Sequence, residues 1–138
     1  MHFTLHLTDA CNLRCHYCYV RQSNHHMTLD TAKAVVDLAA EDPGHHGLIF
    51  FGGEPLLQRQ LIYDTVAYAQ SLRLRGKFHY KITTNGTLLD REFLDFSQKN
   101  QVFIALSHDG IAQDVNRIGP EDSGTFDRLE PIAKSLLA

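Results

Sequence analysis

The chain has 138 residues, of which 43% are hydrophobic, and a formal net charge of −3. This length and apolar content suit one soluble domain with its own core. The 13 Lys and Arg residues are scattered and outnumbered by 16 Asp and Glu residues, so we expect no nucleic-acid partner. No apolar run reaches membrane-spanning length, and no signal peptide is visible at the amino terminus.

The hydrophobic pattern predicts strands and helices that alternate along the chain. Strands are expected at residues 3–8, 47–51, 78–83 and 101–106, and helices at 29–42, 57–74, after 90 and from 125. Thr28 and Asp90 are predicted N-caps, Pro55 the first residue of the second helix and Gly76 its stop. This order predicts an α/β fold of about four βα units with a parallel sheet. In such folds, functional residues gather at the carboxyl ends of the strands.

All three cysteines of the chain, Cys11, Cys15 and Cys18, follow the first predicted strand. An odd number of thiols in one cluster argues against a disulfide framework and favours a reducing cytoplasm. Three Cys ligands would leave one iron of a four-iron cluster without a protein ligand and able to bind a small molecule. Two alternatives stay open, namely buried apolar thiols and a zinc site completed by His16, His25 or His26.

Polar motifs also follow the other three predicted strands. Gly52 and Gly53 could form a tight turn or admit a ligand, and Glu54 could accept hydrogen bonds from an ammonium group. Asn85 belongs to a Thr-Asn-Gly-Thr turn after the third strand. The fourth strand is followed by Ser107, Asp109 and Arg117. An arginine fork suits a carboxylate, although Arg117 could also be a solvated loop charge.

The cysteine spacing, with Tyr17 as the aromatic residue before Cys18, resembles the cluster motif of the radical S-adenosylmethionine (SAM) superfamily. The motifs Gly-Gly-Glu-Pro, Thr-Thr-Asn-Gly and Ser-x-Asp-Gly, occurring in that order, most resemble its sulfatase-maturase and peptide-maturase branch. The resemblance implies an incomplete TIM-type barrel and a 4Fe–4S cluster on the three cysteines. One-electron reduction would cleave SAM to methionine and a 5'-deoxyadenosyl radical, which would abstract a hydrogen atom from the substrate. By the same resemblance, the residues near SAM would be Tyr17, Gly52, Gly53, Glu54, Asn85, Ser107, Asp109 and Arg117.

The resemblance also implies partners. The substrate would be a peptide or protein side chain that is oxidised or crosslinked, and the electron donor a flavodoxin or ferredoxin. Typical cores of this superfamily have six units, whereas four are predicted here. Residues 1–138 are therefore expected to form a single, truncated core domain, whose open sheet edge a second chain or a missing segment would cover. The alternative is a non-catalytic iron–sulfur or zinc-binding remnant, which would carry electrons or have no activity.

Overall fold

The computed structural model describes residues 1–12, 23–72 and 76–107. Four strands alternate with helices in these ranges. In chain order the elements are β1 (His2–His6), α1 (Leu29–Ala40), β2 (Gly44–Phe51), a short 3₁₀ helix (Pro55–Gln58), α2 (Arg59–Ser71), β3 (Gly76–Thr84), α3 (Arg91–Asn100) and β4 (Val102–Leu106). The helix predicted from Thr125 lies outside the described residues.

The four strands form one parallel sheet in the order β1-β2-β3-β4. The register aligns Phe3 of β1 with Leu48 of β2, and Leu48 with Tyr80 of β3. Each strand therefore pairs with the strand that follows it in the sequence. Each crossover between described strands carries a helix, as parallel pairing requires. The predicted α/β class and the open, partial-barrel arrangement are therefore confirmed.

One face of the sheet carries the core. Because side chains alternate along a strand, Leu48 and Phe50 point to the same face, and both are fully buried. They join residues of the helices in one apolar cluster that includes Val36, Ile62 and Phe93. On the opposite face, Phe103 of β4 is 66% exposed. No helix in the described part of the chain is long and apolar enough to cross a membrane.

Local signals predicted the starts of α1 and α3 correctly. The Thr28 side chain accepts a hydrogen bond from the Thr31 amide at 3.2 Å at the start of α1. Asp90 accepts the Phe93 amide at 2.9 Å at the start of α3. Both predicted N-caps are confirmed, because capping depends on residues only three positions apart.

Two predicted boundaries were wrong. Gly76 does not end the second helix; it is the first residue of β3 and pairs with Gly44 of β2. β2 starts at Gly44 and β3 at Gly76, earlier than the apolar runs at 47–51 and 78–83 from which these strands were predicted. Parallel pairing continues through residues that show no hydrophobic pattern. Pro55 begins the 3₁₀ helix rather than α2. In this 3₁₀ helix the Leu57 amide donates to the Glu54 carbonyl at 3.1 Å.

Candidate functional site at the carboxyl edge of the sheet

The cysteine loop leaves β1 and returns before α1, and its two ends are tied together. The Met27 amide donates to the Leu7 carbonyl at 2.7 Å, and the Asp9 amide donates to the His25 carbonyl at 3.0 Å. Cys11 therefore lies just beyond the carboxyl end of β1. The other predicted cluster residues on this loop, Cys15, Tyr17 and Cys18, lie outside the described residues.

Asp9 adds side-chain bonds across the same loop base. Its carboxylate contacts His6 Nε2 at 2.8 Å and accepts from Ser23 Oγ at 3.1 Å. The hydrogen bond from His6, and then that from Ser23, hold the pKa of Asp9 below its usual range. His25 and His26 are exposed, and His26 Nδ1 lies 2.8 Å from Thr8 Oγ1. The loop base is thus held by backbone and side-chain hydrogen bonds.

The two glycines after β2 lie against this loop. The Gly53 amide donates to the Thr8 carbonyl at 2.8 Å, and the Glu54 amide donates to the Ala10 carbonyl at 2.8 Å. Gly52 has φ 144°, and a Cβ there would meet the Thr8 carbonyl oxygen at 2.5 Å. A Cβ on Gly53 would overlap the Ala10 carbonyl oxygen. The close approach that these glycines allow in the structure is therefore that of the cysteine-loop backbone.

Glu54 has a fully buried side chain that joins the ends of β2 and β3. Oε2 accepts from Thr84 Oγ1 at 2.7 Å and from the Leu56 amide at 3.0 Å, and Oε1 accepts from the Asn85 amide at 2.8 Å. An ionised carboxylate only accepts hydrogen bonds, so it matches these three donors. Glu54 therefore fixes where the turn after β3 begins.

Asn85 faces the cysteine loop from this turn. The turn is closed by Gly86, which has φ 82°, a conformation that favours glycine. Asn85 Nδ2 donates to Cys11 Sγ at 3.7 Å and to Asn12 Oδ1 at 2.9 Å. Cys11 is half-buried and Asn85 is 6% exposed, so these contacts are largely shielded from water. The turn after β3 and the loop after β1 thus meet directly.

Ser107 follows β4 at the same edge. Its amide donates to the Thr84 carbonyl at 2.9 Å, which continues the pairing of β3 with β4 by one residue. The remaining predicted residues of this segment, Asp109 and Arg117, lie outside the described residues. The structure therefore brings four sequence-predicted groups to one edge: Cys11, the segment from Gly52 to Glu54, Asn85 and Ser107.

A family model described as the radical SAM superfamily matches residues 5–136 of the chain. The chain belongs to the radical SAM superfamily. The matched range covers almost the whole sequence, including the cysteine loop and every motif after it.

Two relatives named as enzymes resemble the chain at moderate identity. It is 31% identical over 112 residues to Fe-coproporphyrin III synthase of Methanosarcina barkeri, covering 78% of this chain and 27% of the relative. It is 25% identical, over an alignment of 146 positions, to a cysteine-type anaerobic sulfatase-maturating enzyme of Clostridium perfringens. This match covers 92% of this chain and 38% of the relative. The chain thus spans well under half the length of these curated relatives.

A solved structure shares the fold. The structure of native anSMEcpe, a sulfatase maturase, with bound AdoMet (SAM) and Cp18Cys peptide superimposes with a TM-score of 0.84 at 27% identity. The match covers 95% of this chain and 38% of that one. The strands and helices of residues 1–12, 23–72 and 76–107 therefore share the fold of this solved structure.

The described part of the site has donor chemistry that suits a thiolate-bound cluster. Cys11 Sγ receives an amide N–H, and a sulfur that accepts a hydrogen bond is better matched as thiolate than as thiol. Within residues 1–12, 23–72 and 76–107, no three His, Cys, Asp or Glu side chains converge to hold a metal ion. Two of the three predicted ligands lie outside those ranges.

Three contributors to the site were missed by sequence reasoning, namely Asn12, Thr84 and Thr87. Asn12 Nδ2 donates to Thr87 Oγ1 at 2.7 Å, and Thr84 Oγ1 donates to Glu54. The signal was present in the two threonines that flank the Asn-Gly pair and in the amide directly after the first cysteine. It could not be used alone, because such residues are common in ordinary turns.

Proposed function

We propose that this chain is the core of a radical SAM enzyme that holds a 4Fe–4S cluster on Cys11, Cys15 and Cys18. The observation that carries the proposal is the hydrogen-bonded path from Glu54 through Asn85 to Cys11, which joins three strand ends at one edge. A site that must hold a cluster and a second molecule side by side needs fixed distances between its loops. Three thiolates on one loop match the ligand type of such clusters.

SAM is proposed to lie beside the cluster at this edge. When bound, cluster and SAM would together supply a 5'-deoxyadenosyl radical, formed by one electron from a reductant. The residues of this chain would position SAM and exclude water. The proposed SAM site comprises Tyr17, Gly52, Gly53, Glu54, Asn85, Ser107, Asp109 and Arg117.

Glu54 is proposed to act at the SAM amino group together with the backbone carbonyls of Gly52 and Gly53. Its buried carboxylate is held by hydrogen bonds from the Thr84 hydroxyl and the Asn85 amide, so its negative charge has a fixed position. A fixed carboxylate attracts an ammonium group without having to be ordered first. The same side chain would then serve the turn and the cofactor.

We propose a peptide or protein side chain as substrate, to be oxidised or crosslinked. Support comes from the sulfatase-maturating relative and from the similar solved structure that holds the Cp18Cys peptide. A flavodoxin or ferredoxin is the proposed electron donor, and a reducing cytoplasm suits the three thiols.

The proposed arrangement also requires a partner at the open edge of β4. In the described part of the chain β4 pairs only with β3, and an unpaired parallel strand edge is a site for further strand pairing. We propose that residues 1–138 act as one core domain, and that further strands from the same polypeptide or a second chain complete the barrel beside β4.

The decisive experiment is an electron paramagnetic resonance (EPR) spectrum of the anaerobically reconstituted, reduced protein, recorded with and without SAM. We expect a cluster signal that changes when SAM is added, because SAM would bind the iron that lacks a cysteine. A cluster signal indifferent to SAM, or no cluster signal, would overturn the proposal.

Metal analysis and one matched variant complete this test. The proposal predicts about four iron atoms per chain, whereas a zinc-binding remnant would bind zinc and show no cluster signal. Glu54→Gln preserves the size of the side chain but removes its charge. It should weaken SAM binding in an EPR titration and leave the iron content unchanged; equal SAM affinity would remove Glu54 from the cofactor site.

A further inference from the structure

Three side chains beside Cys11 form a closed ring of hydrogen bonds. Asn85 Nδ2 donates to Asn12 Oδ1 at 2.9 Å, Asn12 Nδ2 donates to Thr87 Oγ1 at 2.7 Å, and Thr87 Oγ1 donates to Asn85 Oδ1 at 2.8 Å. Every donor in the ring meets an acceptor. Such a network holds its members in one arrangement.

The orientation of the Asn85 side-chain amide is set by the backbone N–H of Thr87. The Thr87 amide donates to Asn85 Oδ1 at 3.0 Å, so the carbonyl end of the side chain must face Thr87. The opposite end, Nδ2, then faces the cysteine loop. Its two N–H groups meet Asn12 Oδ1 and Cys11 Sγ. If the oxygen and nitrogen of the Asn85 side chain were exchanged, its NH₂ group would face the Thr87 N–H donor. The turn therefore requires the orientation in which an N–H is directed at the sulfur.

The Asn85 backbone is anchored as firmly as its side chain. The buried Glu54 carboxylate accepts the Asn85 amide at 2.8 Å. Asn85 is 6% exposed and Thr87 is 4% exposed, so little water competes for these bonds. The donor is therefore held near the sulfur by the bonds of the turn itself.

We propose that Asn85 is a positioning residue that raises the reduction potential of the cluster by donating an N–H to the Cys11 sulfur. This inference rests on the proposed function. Reduction adds a negative charge to the cluster, and part of that charge lies on the ligand sulfurs. A hydrogen-bond donor at a ligand sulfur stabilises the reduced form more than the oxidised form, and so makes the cluster easier to reduce.

The competing explanation is that Asn85 only orders the cysteine loop. The chain offers a control that separates the two roles. Thr87→Val removes the hydroxyl and opens the ring, but it retains the Thr87 amide that orients Asn85. Asn85→Ala removes the N–H donor and adds no charge. Asn85→Asp retains an oxygen for Thr87 and replaces the donor by a second oxygen.

The test is an EPR-monitored redox titration of the reconstituted chain without SAM, together with iron content, for the parent and the three variants. We expect both Asn85 variants to hold the cluster with a lower midpoint potential. In Asn85→Ala the equilibrium constant for reduction should fall about threefold to tenfold, where tenfold corresponds to about 59 mV for a one-electron couple. Thr87→Val retains the Thr87 amide that orients the Asn85 donor, so its midpoint potential should fall by less than that of either Asn85 variant.

The outcomes separate this inference from the proposed function. A cluster in the parent with equal potentials in all variants would overturn the role of Asn85 alone, as would an equal shift in Thr87→Val. Loss of the cluster from both Asn85 variants, with retention in Thr87→Val, would show a purely structural role and overturn the inference too. Absence of a cluster from the parent would overturn the proposed function, and this inference with it.

Discussion

Replacing Glu54 by alanine tests whether the buried carboxylate holds the site together. The substitution leaves three donors without their acceptor: the Leu56 amide, the Thr84 hydroxyl and the Asn85 amide. An unsatisfied buried donor costs about 1–3 kcal/mol. Because water can enter the space vacated by the side chain, we take the lower value for each. The free energy of unfolding should therefore fall by about 3 kcal/mol.

Urea denaturation followed by far-ultraviolet circular dichroism measures this loss. With a slope of about 2 kcal/mol per molar urea for a small domain, the midpoint should fall by about 1.5 M. Glu41→Ala is the matched control, because Glu41 is exposed at the end of α1. It should change the stability by less than about 0.5 kcal/mol.

Glu54→Gln gives an intermediate step in the same series. A glutamine oxygen can keep the Leu56 amide and the Thr84 hydroxyl, while its NH₂ group meets the Asn85 amide donor. One donor of the three is then lost, and the free energy of unfolding should fall by about 1–2 kcal/mol. Equal midpoints for Glu54→Ala and Glu41→Ala would refute the reasoning, as would a larger loss in Glu54→Gln than in Glu54→Ala.

Three further predictions test the loop, the glycines and a cap. Cys15→Ala should abolish iron loading, measured by metal analysis after reconstitution, and a full cluster in this variant would contradict the assignment. Gly53→Ala should lower iron loading and the urea midpoint together, because the new Cβ overlaps the Ala10 carbonyl oxygen; an unchanged midpoint would count against this contact. The pKa of Asp90 lies below its usual range, chiefly because its carboxylate accepts the Phe93 amide. Its stabilising contribution is thus present above its ordinary pKa of about 4 and is lost as pH falls through the lowered value. The urea midpoint of the parent should exceed that of Asp90→Asn by less at pH 3 than at pH 7; a constant difference would oppose this assignment.

The wrong boundaries show where local patterns stop being informative. Gly76 was expected to end a helix because glycine often does so, yet its backbone extends β3 beside Gly44. A strand can continue through any residue whose neighbour on the adjacent strand keeps pairing. That neighbour lies far away in the sequence, so its effect cannot be read from the segment itself.

The reason for the glycine pair was also hidden from the sequence. A ligand was one expected explanation for Gly52 and Gly53, but the atoms that exclude a Cβ at these positions belong to the backbone of Thr8 and Ala10. The sequence indicated that space was needed there. Only the path of the cysteine loop shows what uses that space.

The sequence by itself determined the alternation of strands and helices, the N-caps at Thr28 and Asp90, and the position of the cysteine loop after the first strand. These features depend on residues a few positions apart, whose hydrogen bonds and hydrophobic period are set locally. Tertiary structure decided the partners of Glu54 and Asn85. Thr84 lies 30 positions from Glu54, and Cys11 lies 74 positions from Asn85. Such pairs are brought together by strand register and loop path, which depend on the packing of the whole sheet.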